Sequence, residues 1–166
     1  MKKLALIALV TSLATAAHAA PYVSPDDNLS GVSLCIDNNS FTAEIGALGT
    51  TSAKVAQNIY DYFVSSAKAQ GVQFSENGDK ACVDYAVDLS FEATVGNPRA
   101  WAAEIWVSDD GAYASLNAAD LYKNPVVVWT DYNFGVLVDN DGIGAYLTAQ
   151  GEDLVDSLLA AYKKVN

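Results

Sequence analysis

The chain has 166 residues, 51% apolar and 17% charged, with three Trp, nine Tyr and five Phe; this excludes intrinsic disorder and fits one folded domain. Twenty acidic residues stand against nine basic ones and a single histidine, a formal net charge of −11. Such a surface repels phosphate backbones and anionic headgroups, so nucleic acid and membrane surfaces are poor partners and cationic ones remain.

Lys2 and Lys3, an apolar run from Leu4 to Ala14 and the small-residue triplet Ala17, His18, Ala19 have the layout of a secretory signal peptide over residues 1–19, cleaved near Ala19. The run is well short of the roughly 20 residues that span a bilayer, and no later stretch reaches that length, so no membrane insertion is expected. Cleavage takes both lysines and His18, leaving seven of the nine basic residues against 20 acidic ones, a net charge of −13 in a chain without histidine. Imidazole-based triads, His-ligated zinc and imidazole acid–base catalysis are thereby excluded. No cofactor and no metal site is expected.

Residues 20–30 hold Pro21 and Pro25 and no periodicity, and read as an extended leader to a single domain over 31–166. Val32, Leu34 and Ile36 alternate with Ser33, Cys35 and Asp37, the pattern of a half-buried strand with Cys35 on its polar side. A loop is expected from Asn38 to Thr51. Thr50, Thr51 or Ser52 then caps a helix whose apolar stripe is Val55, Ile59 and Phe63 and whose stop is Gly71.

Asn77-Gly78 predicts a two-residue hairpin that pairs Phe74 with Ala81 and Val72 with Val83. A long alternating strand over 81–95 follows, with Val87, Leu89 and Phe91 on one face and Cys82, Asp84, Asp88 and Glu92 on the other. Trp101, Ala103, Ile105 and Val107 return after Pro98, and Asp110-Gly111 predicts a second hairpin that sets Ile105 opposite Leu116 and Val107 opposite Ala114. A last strand, Val126 to Tyr132, opens after Pro125, whose missing N–H suits a strand's first residue. Leu147, Leu154, Leu158, Tyr162 and Val165 form the stripe of a C-terminal helix that Gly151 could divide, with Lys163 and Lys164 at the dipole's negative end. The expected fold is α+β: a mainly antiparallel twisted sheet of about five strands with two helices packed on one face.

Cys35 and Cys82, an even pair in an exported chain, are expected to form a disulfide. They lack the C-x-x-C spacing of a redox pair and fall short of the four ligands of structural zinc. Asp139, Asn140, Asp141 and Gly142 resemble a calcium loop, but in that register Leu137 and Thr148 occupy positions 1 and 12, where acids belong. A turn before the last helix is the plainer reading.

Trp106 and Tyr113 emerge on the polar side of the predicted hairpin, where an aromatic can stack a sugar ring, a peptide side chain or a cation; a cross-strand structural pair is the competing role. With Asp84, Asp88, Glu92 and Glu104 they form a candidate binding face. The expectation is an exported, non-enzymatic binding or interaction domain of the bacterial envelope or extracellular space, with a protein, peptide or glycan as partner. The alternative is a carboxylate-based hydrolase acting on glycans. Its two acids must stand about 5 to 9.5 Å apart, which residues four apart on one strand, separated by roughly 13 Å, do not satisfy.

Overall fold

A computed structural model describes residues 25–82, 85–109, 126–139 and 141–166. Its elements follow in the order 3-10 turn Pro25–Leu29, β1 Leu34–Ile36, β2 Phe41–Ile45, α1 Gly49–Gln70, β3 Phe74–Glu76, β4 Tyr85–Ala93, β5 Arg99–Asp109, β6 Val126–Leu137 and α2 Ile143–Val165. The fold is α+β, as expected, but the sheet has six strands and is mixed: β3, β1, β4, β5 and β6 lie side by side, and β2 continues the line of β1 along β4. β4, β5 and β6 are antiparallel neighbours, whereas β1 is parallel to both β3 and β4, and β2 is parallel to β4.

Alternation explains the layering. Val87, Leu89 and Phe91 of β4 and Trp101, Ala103, Ile105 and Val107 of β5 turn to one side, where Val55, Ile59 and Phe63 of α1 and Leu147, Leu154 and Leu158 of α2 meet them in one buried core. Gly71 ends α1 in the left-handed conformation (φ 73°), its N–H returning to the carbonyl of Lys68. The start of α1 departs from expectation: the N-cap is Leu48, without a side-chain bond, and the Ser52 hydroxyl instead accepts the Ile45 N–H and donates to the Leu48 carbonyl.

Gly151 does not divide α2, which is unbroken. It is the point of closest approach to α1, where an added Cβ would stand 2.3 Å from Cδ1 of Ile59. Thr51 packs on Gly144 and the Tyr62 hydroxyl bonds to Asp156, so contacts advance in the same direction along both helices and the two run parallel.

Four expectations need correction. Residues 25–29 are not an extended leader: Leu29 is fully buried, the Asp26 carboxylate accepts from Trp129 Nε1 and Lys164 Nζ, and the Asn28 amide donates to the Val128 carbonyl. The stretch 38–51 is not all loop, since β2 lies within it. The Phe74–Ala81 hairpin does not form. Phe74 pairs with Leu34, and β1 separates β3 from β4, because the crossover through α1 delivers β3 to the far edge of β1. The turn at Asn77-Gly78 survives (Gly78 φ 58°), but it carries the chain back past the end of β1, with the Asn77 N–H on the Ile36 carbonyl and the Gly78 carbonyl accepting from Asn38.

Finally, Ile105 and Val107 have both edges filled. Ile105 pairs with Leu89 and Asp131, Val107 with Val87 and Trp129, which leaves no edge for the expected partners Leu116 and Ala114. The Asp110-Gly111 turn itself lies outside the described residues.

The Cys35–Cys82 disulfide is present, with 5.8 Å between the Cα atoms. Cys35 points away from Leu34 and Ile36, so the bridge fastens the returning segment to the side of the sheet opposite the helices, where both sulfurs are buried with Ala86.

Candidate functional site

The side of the sheet opposite the helices has no covering layer over β2, β4, β5 and β6 among the described residues, and the registers fix what it displays. One row across the four strands reads Thr42, Ser90, Glu104, Tyr132; the next reads Glu44, Glu92, Ala102, Phe134; a third reads Asp88, Trp106, Thr130. Neighbours within a row are separated by roughly 4.8 Å. Asp88, Glu92, Glu104 and Trp106, expected to share a face, therefore do share one. Asp84 and Tyr113 lie outside the described residues.

The rows also bring in residues that the sequence reading missed. Glu44 is the direct neighbour of Glu92, and like charges face to face weaken a sheet, so the pair has no structural benefit of its own. Tyr132 and Phe134 stand 65% and 70% exposed, their rings nearly parallel at 6.3 Å between centroids. Val136 (63% exposed) and Val138 (79% exposed) continue the line. Tyr132, Phe134, Ser90, Glu92, Ala102 and Glu104 border an open trough of about 530 Å³.

The aromatics face outward because β6 reverses the usual polarity. Asp131 and Asn133 turn to the helix side, where Asp131 accepts from the Ser157 hydroxyl at 2.6 Å and the Asn133 amide donates to Gln150 at 2.9 Å. Each also uses its Oδ1 to take the next residue's backbone N–H, that of Tyr132 and of Phe134, both at 2.9 Å. Among the described residues β6 is the last strand of the sheet, and these two bonds occupy N–H groups that would otherwise be open to another strand.

The chain matches no family model, and its sequence matches no curated protein. Solved structures offer a likeness in fold alone. A PelC variant, solved as a dodecamer from Paraburkholderia phytofirmans, aligns at 13% identity over 78% of this chain and 88% of its own, with a TM-score of 0.38. So loose a likeness carries no residue correspondence.

Trp106 is half-buried between Asp88 and Thr130, whereas Ile105 on the opposite side is completely buried. Trp106→Ala is expected to cost about 1 to 2 kcal/mol and Ile105→Ala about 2 to 5 kcal/mol, since only the second opens a cavity in the core. Urea melts of both variants beside the wild type check this; a larger loss from the Trp106 change would make that ring a structural element and not part of a binding face.

The same face bears on the carboxylate chemistry. Glu44 beside Glu92, and Glu104 diagonal to Glu92, satisfy the separation that a glycosidase pair needs. All three side chains are exposed, Glu44 and Glu92 at an open recess of about 390 Å³ beside Trp101 and Ala102, and Glu92 and Glu104 at the trough; neither recess encloses a carboxyl in the way that turns one into a proton donor. Among the described residues no group of three or more His, Cys, Asp or Glu could hold a metal ion, and no helix is long and apolar enough to cross a membrane.

Proposed function

We propose that this protein is an exported, non-catalytic interaction domain whose open sheet face receives a protein partner with a basic rim. One observation carries the reading: the exposed line Tyr132, Phe134, Val136, Val138 beside the carboxylates of Glu92 and Glu104. Seven residues of extended chain cover roughly 20 Å, longer than one sugar ring, and the two valines offer a sugar nothing to stack on. An apolar centre with a charged margin is the anatomy of a protein interface, and the acidic margin selects a partner of opposite sign. The disulfide and the signal-like residues 1–19 support export to an oxidising compartment.

A photo-crosslinking residue at Phe134, with a control at exposed Ala160 on α2, tests this in the cells that produce the protein. The expected result is a protease-sensitive adduct at Phe134 and none at Ala160, lost when Glu92→Lys and Glu104→Lys are combined. An adduct sensitive only to glycosidases, equal adducts at both positions, or none at Phe134 would overturn the reading.

A further inference from the structure

The two helices place their positive ends together. α1 and α2 run parallel in contact, so the N-termini at Gly49 and Ile143 lie at one end of the helix layer, and the partial positive charges of two dipoles add there. Neither end is neutralised from within. Neither helix has a side-chain cap or an acid in its first turn, in a chain with 20 acidic residues. The intrahelical bonds begin at the N–H groups of Ser52 and Tyr146, so those of residues 49–51 and 143–145 find no acceptor in their own helices.

A cleft of about 400 Å³ opens between these ends, bordered by Thr50, Thr51, Lys54, Asn58, Gly144 and Thr148. Asp139 and Asp141, just ahead of α2, do not border it. Lys54 forms no ion pair among the described residues. Thr148 supplies a separate observation: it is only 8% exposed, it borders the cleft, and its hydroxyl has no hydrogen-bond partner. A buried hydroxyl without a partner carries a desolvation cost that a ligand would remove.

We infer that this cleft is a binding site for a small oxyanion, a carboxylate or phosphate group, received by first-turn N–H groups of both helices, the Lys54 ammonium and the Thr148 hydroxyl. It belongs to the helix side of the fold and is independent of the sheet face. Donors of this kind match an oxyanion and offer nothing to a cation.

The test is an amide-resonance titration of the oxidised protein with inorganic phosphate and, separately, acetate, at constant ionic strength. Saturable shifts at Gly144, Ala145 and Thr51 are expected, with a Kd on the order of 1 mM for the better anion. Tighter phosphate would point to a phosphate-bearing ligand and tighter acetate to a carboxylate. Lys54→Gln should weaken binding about three- to fivefold. Thr148→Val should weaken it as well while raising the Tm of the anion-free protein, since a methyl replaces the unsatisfied hydroxyl. Linear shifts unchanged in Lys54→Gln, or no shifts with either anion, would overturn the assignment; if Thr148→Val does not fold, the exposed Lys54 variant still decides it.

Discussion

Phe63→Ala is expected to destabilise the protein by about 3 to 5 kcal/mol, the loss that follows removal of a fully enclosed ring. Phe63 has no exposed surface, and its ring meets Phe41 at 5.7 Å and Phe74 at 5.3 Å between centroids. Those contacts tie α1 to β2 on one side and to β3 on the other. The three-residue strand β3 has β1 as its strand partner, so the half-buried Phe74 contributes much of what holds it in place. Equilibrium urea unfolding should show a lower midpoint with an unchanged slope. A loss below about 1 kcal/mol would mean that the site collapses around the missing ring and that the aromatic cluster is not the keystone of this end of the fold.

Opening the Cys35–Cys82 bridge is the second large effect. The cysteines are 47 residues apart, and closing a loop of that size in the unfolded chain corresponds to roughly 4 kcal/mol in the chain-entropy account. The native state depends on the bridge for a local reason too. Without the Phe74–Ala81 hairpin, the segment from Asn77 to Cys82 has no ladder, and holds on by a few bonds such as Asn77 N–H to Ile36 and Cys82 N–H to the Asp37 carboxylate. Reduction, or replacement of both cysteines by alanine, should lower the Tm by roughly 10 to 20 °C. Calorimetry with and without reductant is the direct measurement, and a shift of less than about 3 °C would contradict the argument.

The helices, the long strands and the disulfide could be read from the sequence because each depends on a local pattern. Val55, Ile59 and Phe63 recur at helical spacing, Gly71 supplies the stop, and β4 and β5 alternate cleanly. β2 also alternates, through Phe41, Ala43 and Ile45, but over five residues inside a stretch rich in Asn, Ser, Thr and Gly. The Asn77-Gly78 hairpin failed for a different reason. A turn signal reports only on the residues beside it, while the parallel pairing of β3 with β1 is decided by a crossover through 22 residues of α1.

On the candidate face, Asp88, Glu92, Glu104 and Trp106 followed from the phase of β4 and β5, and Glu44 was lost together with β2. Tyr132 and Phe134 were hidden by a reversed phase: hydrophobicity alone would bury them and expose Asp131 and Asn133. Only the positions of Ser157 and Gln150 on α2, which bind those two polar groups, make the opposite arrangement favourable. No window shorter than the β6–α2 unit contains that information.

The bonds that Asp131 and Asn133 make to the following N–H groups bear on how this surface behaves in a crowded compartment. An edge strand with Tyr132, Phe134 and Val136 turned outward is a seed for lateral growth, one copy adding to the next without limit. Here the lateral direction is obstructed in the middle of the strand by its own side chains, while among the described residues nothing covers the direction perpendicular to the sheet. A contact made through the ring faces, as proposed above, is thereby separate from polymerisation through the backbone, and such a surface need not become a fibre.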